Sequence, residues 1–359
     1  AEPPDVDIKV FRSWGPHFVK QIKQGPSKIK IWFDFLFSLT LFGILLRRRY
    51  DLIYAHEEGG FIAAWFGKVF RIPFVYDMHS SLPVQITEWT FSRSRWVLRF
   101  FEWVERFTIK TARAVVSIAP GVTAAAHKAW PSAKVIQILN RFTLKEAPTD
   151  EDRRRIRDEF DIEDEHALVL YTGSFVPLQA LDLLIDAVGP VIREAPHARF
   201  LMVGANPAQF EEYQARVEEA GVADHVILVQ ARPQSEMPAF MAACEVLVSP
   251  RVKGINPPGK LFSYLNSGKP VVACDTLVHN QILNRDCSIL TEPDSQAFAR
   301  GILQALNEPD TVERVTRGAA EILRTEYSEA SREASYRELV DAMLPLSLIH
   351  ISEPTRPMK

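Results

Sequence analysis

Cysteine is scarce in this chain: three occur in 359 residues. None stands in a C-x-x-C spacing or beside a histidine cluster, so structural zinc and thioredoxin-like redox chemistry are not indicated. Cys244, Cys274 and Cys287 lie in apolar or strand-like stretches and read as buried free thiols of a reducing compartment. No G-x-G-x-x-G follows a strand-like run and no G-x-x-x-x-G-K-[ST] occurs, which removes the usual signatures of dinucleotide oxidoreductases and P-loop NTPases. Long apolar runs are missing too. Ile31–Leu46 falls short of the roughly 20 residues that span a bilayer, is interrupted by Asp34 and Ser38, and is followed by Arg47, Arg48 and Arg49. A buried or interfacial helix is the better reading. The opening stretch Ala1–Val10 is acidic, carries two prolines and starts without Met, so it does not read as a signal peptide.

What is present is unevenly spread. Residues 1–146 hold 21 Lys and Arg against 12 Asp and Glu, and the remainder holds 21 against 33, so the net charge of -3 conceals a basic first part and an acidic second part. All seven tryptophans, from Trp14 to Trp130, and 15 of the 22 phenylalanines belong to the basic part. Cations interleaved with aromatics suit a membrane surface or another anionic partner. Aromatics packed in a core would give the same composition.

Periodicity sets the class. Short β-rich runs at Leu52–His56, Pro73–Met78, Ala114–Ala119 and Val135–Leu139 alternate with helical stretches at Gly59–Phe70 and Arg93–Arg113, and this alternation implies a parallel sheet. In Arg93–Arg113, Trp96, Phe100, Trp103 and Phe107 share one face and Arg95, Arg99, Glu102, Arg106, Lys110 and Arg113 the other. The apolar stripe can meet lipid or its own sheet; the sheet is the expected partner for most of it. Lys145–Asp164 is polar, acidic and contains Pro148, as a linker with a helix cap would be. The pattern then restarts, with strands at Ala167–Thr172, Arg199–Val203, His225–Val229, Val246–Ser249, Val271–Ala273 and Ser288–Leu290, and helices such as Leu178–Glu194 and Asp294–Leu306. A second doubly wound unit is expected.

Both ends call for separate treatment. Leu346–Arg356 (LSLIHISEPTR) reads like the translated frame of a sequencing adapter, which places residues 344–359 outside the expected fold. Asp7–Phe11 reads as a second strand with no first strand before it, so a βα unit is expected to be missing from the start.

The strongest chemical signal is Leu247–Ala273 (LVSPRVKGINPPGKLFSYLNSGKPVVA): a strand, a Gly/Pro-rich loop, a short helix opening near Gly259, then another buried strand. A helix opening at the carboxyl edge of a sheet suits phosphate. Arg251 and Lys260 flank the loop and supply the fixed cations that a departing diphosphate needs; each could instead serve a surface ion pair. In the first part, His56-Glu57-Glu58-Gly59-Gly60 and Asp77-Met78-His79-Ser80-Ser81 each follow a strand, which puts them at the edge where α/β ligands bind. His56, Glu57 and Glu58 either contact an acceptor or cap the helix opening at Gly59. His279, Asn280 and Gln281 precede a helical turn and are weaker candidates for sugar or phosphate contact.

The two-part layout, the YTGSF that closes the first strand of the second part, and SPR…GxNxPxK…YLxSGxPVVA resemble family 4 glycosyltransferases over roughly Asp51–Met343. The resemblance implies an α/β chain of GT-B architecture: two Rossmann-like domains with parallel sheets facing a central cleft. It implies a retaining, metal-independent hexosyltransferase-like enzyme with no cofactor beyond its UDP- or GDP-sugar substrate. The implied division is an acceptor-binding domain at 1–146, a nucleotide-sugar-binding domain at 147–325, and a helix at 326–343 returning to the first domain.

Carried over by position, the resemblance makes His79 the main catalytic-site candidate, oriented by Asp77, with Arg251 and Lys260 acting on the diphosphate. Gly173, Ser174, Gly254, Asn256, Pro257, Pro258, Gly259, Ser263 and Gln281 are the donor-binding set. His56, Glu57, Asp77 and Ser80 are the acceptor-binding set. The sequence departs from better-known members at Ser174 and Gln179, where an Arg and a Lys are usual, and at Ile255, Ser263 and Gln281, where glutamates are usual; Arg251 and Lys260 are expected to supply the missing cations.

A cytoplasmic protein, peripheral at the inner face of the membrane and acting in cell envelope polysaccharide biosynthesis on a lipid-linked or envelope glycan, is the expected setting, with no nucleic acid partner. The alternatives are a sugar-nucleotide epimerase of similar fold and a non-catalytic sugar-nucleotide-binding partner of a membrane-associated complex.

Overall fold

A computed structural model describes residues 9–13, 28–88, 94–139, 149–254 and 256–343. The tail from Leu344, the linker residues 140–148, Ile255 and the first eight residues lie outside that set, and residues 9–13 form no strand. The described chain forms two compact units, one from residues up to Ile138 together with those from Ala334, the other from Leu139–Glu333.

The first unit runs α1 (Lys28–Arg47), β1 (Ile53–His56), α2 (Glu58–Phe70), β2 (Phe74–Met78), α3 (Leu82–Glu88), α4 (Arg95–Thr111), β3 (Ala114–Ser117), α5 (Pro120–Ala129) and β4 (Val135–Gln137). Its four strands pair in parallel in chain order, with His56 opposite Asp77 and Met78 opposite Ser117. Side chains alternate across this sheet with the two-residue strand period. Phe74, Tyr76, Met78 and Val115 face one core with α2 and α5, while Val75, Ala114, Val116 and Ile136 face another. α2 lies so close to β2 that a Cβ on Gly60 would run into the Tyr76 ring.

The second unit runs α6 (Asp150–Glu159), β5 (Ala167–Thr172), α7 (Leu181–Glu194), β6 (Ala198–Ala205), α8 (Pro207–Glu219), β7 (Val226–Gln230), α9 (Met237–Ala243), β8 (Val246–Ser249), α10 (Lys260–Asn266), β9 (Val271–Cys274), β10 (Ile289–Thr291), α11 (Ser295–Asn307), α12 (Pro309–Thr325) and the start of α13 (Glu329–Met343). A reciprocal capping box between Thr149 and Asp152 starts α6. The sheet is parallel, ordered β10-β9-β8-β5-β6-β7, and strands buried on both faces account for the unbroken apolar runs in the sequence. The order reverses between β5 and β8, the switch point where open α/β sheets bind ligands.

The carboxyl-terminal part of α13 belongs to the first unit. Its Leu339 is buried with Val75, Val116 and Ile136, and Arg113 Nε donates to the Ala342 carbonyl at 2.6 Å.

One expectation is overturned. Most of the aromatic stripe of α4 does not face the sheet: Trp96, Phe100 and Trp103 are 79%, 56% and 50% exposed, while Phe107 packs against the core and Glu105, Thr108 and Ile109 point inward. The inward face is fixed by Glu105, whose two carboxylate oxygens accept from Ser81 Oγ at 3.0 Å and from the Leu82 N–H at 2.9 Å, and by Ile109 in the core. The aromatic face then falls beside Trp65 of α2, which lies 5.1 Å from Phe107 and 6.4 Å from Trp103 between ring centroids. Of the two readings of α1, buried or interfacial, the buried one is removed, since most of its described large apolar side chains are exposed.

Candidate functional site

In the first unit the parallel register of β1 and β2 sets His56 beside Asp77, and the chain leaving β2 brings His79 back to the same carboxylate. Asp77 holds one histidine on each oxygen: His56 Nδ1 lies 3.2 Å from Oδ2 and His79 Nε2 lies 3.3 Å from Oδ1. The two rings meet edge-on, 4.2 Å apart. Burial pushes the Asp77 carboxyl up, but hydrogen bonds from His79 and His56 outweigh it and hold it below its usual range. The hydrogen bond to Asp77 raises the His79 pKa against the effect of burial. His79 is therefore a hydrogen-bond donor oriented by a carboxylate.

Glu57 sits at the amino-terminal boundary of α2 with φ +47°, a left-handed conformation unusual for a side-chain-bearing residue. The expected capping role is not what its carboxylate performs: no side-chain cap forms. Instead Oε1 accepts from the His79 N–H at 2.8 Å and Oε2 from Ser80 Oγ at 2.9 Å, fastening the β2–α3 loop. Gln85 Nε2 adds a bond to Ser80 Oγ at 2.6 Å. Burial pushes Glu57 up in pKa despite these donors.

His56, Asp77 and His79 place ligand-capable atoms within 4.8 Å of one another. Asp77 uses separate oxygens for the two rings, so the arrangement is a hydrogen-bonded bridge. A metal would require both ring nitrogens and a carboxylate oxygen to turn to one point.

In the second unit the site forms at the carboxyl ends of β5 and β8. Lys260, the first residue of α10, donates from Nζ to the Thr172 carbonyl at 2.9 Å, and the ammonium lies 3.7 Å from the Tyr171 ring centroid. Burial first, then the nearby Arg251, push its pKa well below the usual lysine range. Tyr264 of α10 pins the same strand end, accepting from the Thr172 N–H at 2.8 Å.

The adjoining backbone is bare. Gly173 has φ +139°, and a Cβ there would stand 3.0 Å from the Tyr171 hydroxyl and 3.6 Å from Lys260 Nζ. Gly254 has φ +115°, and a Cβ on it would collide with the Arg251 guanidinium, which donates from Nε to the Lys253 carbonyl at 2.8 Å. Half-buried backbone without side chains, beside the Lys260 ammonium and the Arg251 guanidinium, is the chemistry that receives a diphosphate.

The sequence-derived set thus divides. His56, Glu57, Asp77, His79 and Ser80 come together in the first unit; Gly173, Lys260, Arg251 and Gly254 come together in the second. Ser174 is exposed and takes part through its carbonyl, which accepts from the Tyr171 hydroxyl at 3.0 Å. Asn256, Pro257, Pro258 and Gly259 form the loop into α10, with Pro258 buried, and Ser263 is half-buried one turn along that helix. Gln281 turns its amide to the Leu277 carbonyl at 3.2 Å.

His279 is a core residue, fully buried between the Cys274 carbonyl and Ser249 Oγ, and burial lowers its pKa to about 4. Tyr171, Thr172, Tyr264, Gln85 and Glu105 do supporting work that the sequence reading missed. Their types are ordinary for buried strand and helix positions, so only the fold exposes their role.

Two family models match the chain, one in each part. Residues 3–141 match the model of the glycosyl transferase 4-like domain, and residues 166–308 match that of glycosyl transferases group 1. The chain is 32% identical over 133 residues to a GDP-mannose-dependent alpha-(1-6)-phosphatidylinositol monomannoside mannosyltransferase of Mycolicibacterium smegmatis, covering 35% of this chain and 34% of that protein. It is 27% identical over 304 residues to the 2-deoxystreptamine glucosyltransferase of Streptomyces kanamyceticus, covering 79% and 76%. In fold it resembles HepE of Anabaena in complex with UDP, with a TM-score of 0.70 at 19% identity over 82% of this chain and 79% of that one.

Proposed function

The chain belongs to the GT-B glycosyltransferases of family 4 type, and from that premise we infer that it moves a sugar from a UDP- or GDP-linked donor held by the second unit to an acceptor held by the first. The observation that carries this reading is the enclosed Lys260 ammonium beside the bare Gly173 backbone at the sheet's switch point. The named activities of the mannosyltransferase and glucosyltransferase relatives support the same class.

In this reading Lys260 and Arg251 neutralise the diphosphate as the bond between the anomeric carbon and its phosphate oxygen breaks. The new bond forms to an acceptor oxygen, whose proton passes to the departing diphosphate, and anomeric configuration is retained. Asp77 favours the protonated form of His79, which hydrogen-bonds the reacting sugar. His56, Glu57 and Ser80 shape the acceptor edge. Charge is managed by side chains, so the reaction proceeds without a metal. The acceptor is lipid-linked or part of a cell-envelope glycan, and the enzyme works at the cytoplasmic face of the membrane; the basic, aromatic surface of the first unit supports that setting. Among the described residues no helix is long and apolar enough to cross a membrane.

The test is incubation of the full chain with each UDP- and GDP-sugar and a bacterial lipid extract, followed by mass spectrometry. A lipid product heavier by one hexose, with free nucleoside diphosphate released, is expected from one nucleotide series. Nucleotide binding with no product from any acceptor pool would favour a non-catalytic binding partner.

A further inference from the structure

We propose that α1 and the amino-terminal half of α4 form a docking surface for an anionic lipid bilayer at the same edge of the first unit that carries His56, Glu57 and His79. This deepens the acceptor reading above by giving the lipid-linked acceptor a geometry of approach.

A helix that is apolar all round belongs inside something. α1 is such a helix, yet among its described large side chains only Leu45 is buried, while Trp32 and Phe35 are more than half exposed. Within the first unit it lies along α2 in the same direction: Ser38 shares a cavity of about 280 Å³ with Phe61, Ile62 and Trp65, and Phe42 meets Phe66 and Phe70, each at 5.8 Å between centroids. The start of α2 is the edge where Glu57 holds the His79 loop, so the amino-terminal half of α1 extends toward that edge.

α4 points to the same place. Glu105 is bonded to Ser81 and Leu82, just past the carboxyl end of β2. The helix continues from there to Thr111, before β3 begins. Its residues ahead of Glu105 therefore reach outward beyond the sheet edge by about 15 Å at the helical rise. That overhang carries the exposed Trp96, Phe100 and Trp103 with the exposed Arg95 and Arg99, the Arg99 guanidinium 5.9 Å from the Trp96 ring centroid.

The occupant is set by this mixture. Tryptophan rings with arginines among them match the headgroup level of a bilayer, where rings enter the acyl boundary and guanidinium groups meet lipid phosphates. The surplus of cations in residues 1–146 adds complementarity to an anionic leaflet. Docked this way, the histidine edge faces the headgroups that a lipid-linked sugar acceptor presents.

The test is flotation of the full chain, without donor or acceptor, on vesicles of phosphatidylcholine alone and of phosphatidylcholine with phosphatidylglycerol. Wild type should float with the anionic vesicles and far less with the neutral ones. Trp96→Ala/Phe100→Ala/Trp103→Ala and Arg95→Glu/Arg99→Glu should each lower binding about tenfold or more, with unchanged circular dichroism because these side chains are exposed. Transfer to a detergent-dispersed acceptor should survive in both variants while transfer on vesicles falls, which separates failure of docking from failure of the transferase reading. Absence of flotation, equal flotation of the aromatic variant, or a solution dimer that the aromatic variant dissolves in place of vesicle binding would overturn the proposal.

Discussion

The ammonium of Lys260 lies 3.7 Å from the centroid of the Tyr171 ring. Burial depresses the pKa of that ammonium, and Arg251 depresses it further. A nucleoside diphosphate arriving beside it supplies the missing counter-charge and raises the pKa again. At a pH between the free and the liganded pKa, binding of UDP or GDP takes up a proton, and affinity should fall as pH rises through that window. Calorimetry in buffers of different ionisation enthalpy measures the uptake directly. Lys260→Ala should abolish it and weaken binding by about 2 kcal/mol, roughly thirtyfold.

His79→Ala should lower kcat by roughly a hundredfold or more while leaving nucleotide affinity intact. The pH dependence follows from the pair. A raised His79 pKa means that its contribution to stability is full below the free imidazole value and is lost as pH rises through the folded value; a lowered Asp77 pKa means that its contribution is lost as pH falls through the folded carboxyl value. Activity should decline on the alkaline side, and Asp77→Asn should move that decline to lower pH. A pH–rate profile unchanged by Asp77→Asn would remove His79 from its assigned role.

Glu57 combines a strained backbone with a clamp on the His79 loop. Glu57→Gly relieves the first and abolishes the second, so thermal stability should change little while turnover falls. Glu57→Ala keeps the strain and loses the hydrogen bonds, and should cost about 1–3 kcal/mol of stability as well. Melting curves and initial rates on the two variants separate these effects.

Burial raises the Glu105 carboxyl to about 7 from its ordinary value of 4.5, despite bonds from Ser81 and Leu82. The folded chain then holds a proton that the unfolded chain releases, so this residue makes stability fall as pH climbs from about 4.5 to about 7. Glu105→Gln keeps an acceptor and carries no charge; the slope of melting temperature against pH across that window should flatten. An unchanged slope would contradict the assignment.

If Lys260 and Arg251 neutralise the diphosphate as proposed, turnover should be unaffected by EDTA. Loss of activity restored by added metal would instead make the cluster of His56, Asp77 and His79 a metal site.

The strands were legible because burial on both faces leaves unbroken apolar runs, and the turn after β5 was legible because glycine is placed where φ is positive. The direction in which α4 faces was not. Its hydrophobic periodicity is strong, but the inward face is decided by Glu105, a charged residue that periodicity assigns to solvent, whose partners Ser81 and Leu82 are 24 and 23 residues away in sequence. His279 failed for a related reason: only the fold brings Ser249 and the Cys274 carbonyl to its two nitrogens. Residue type indicated Lys260; the enclosure that depresses its pKa comes from Tyr171, Thr172 and Tyr264, whose convergence depends on β5 and α10 meeting at the switch point.

That the enclosed cation of the second unit holds a nucleoside diphosphate is tested most directly by titrating the full chain and its Lys260→Ala variant with UDP- and GDP-sugars. Saturable binding of one nucleotide series to the wild type, weakened about thirtyfold in the variant, is the expected result. Absence of binding to the folded wild-type chain, or equal affinity in the two proteins, would contradict it.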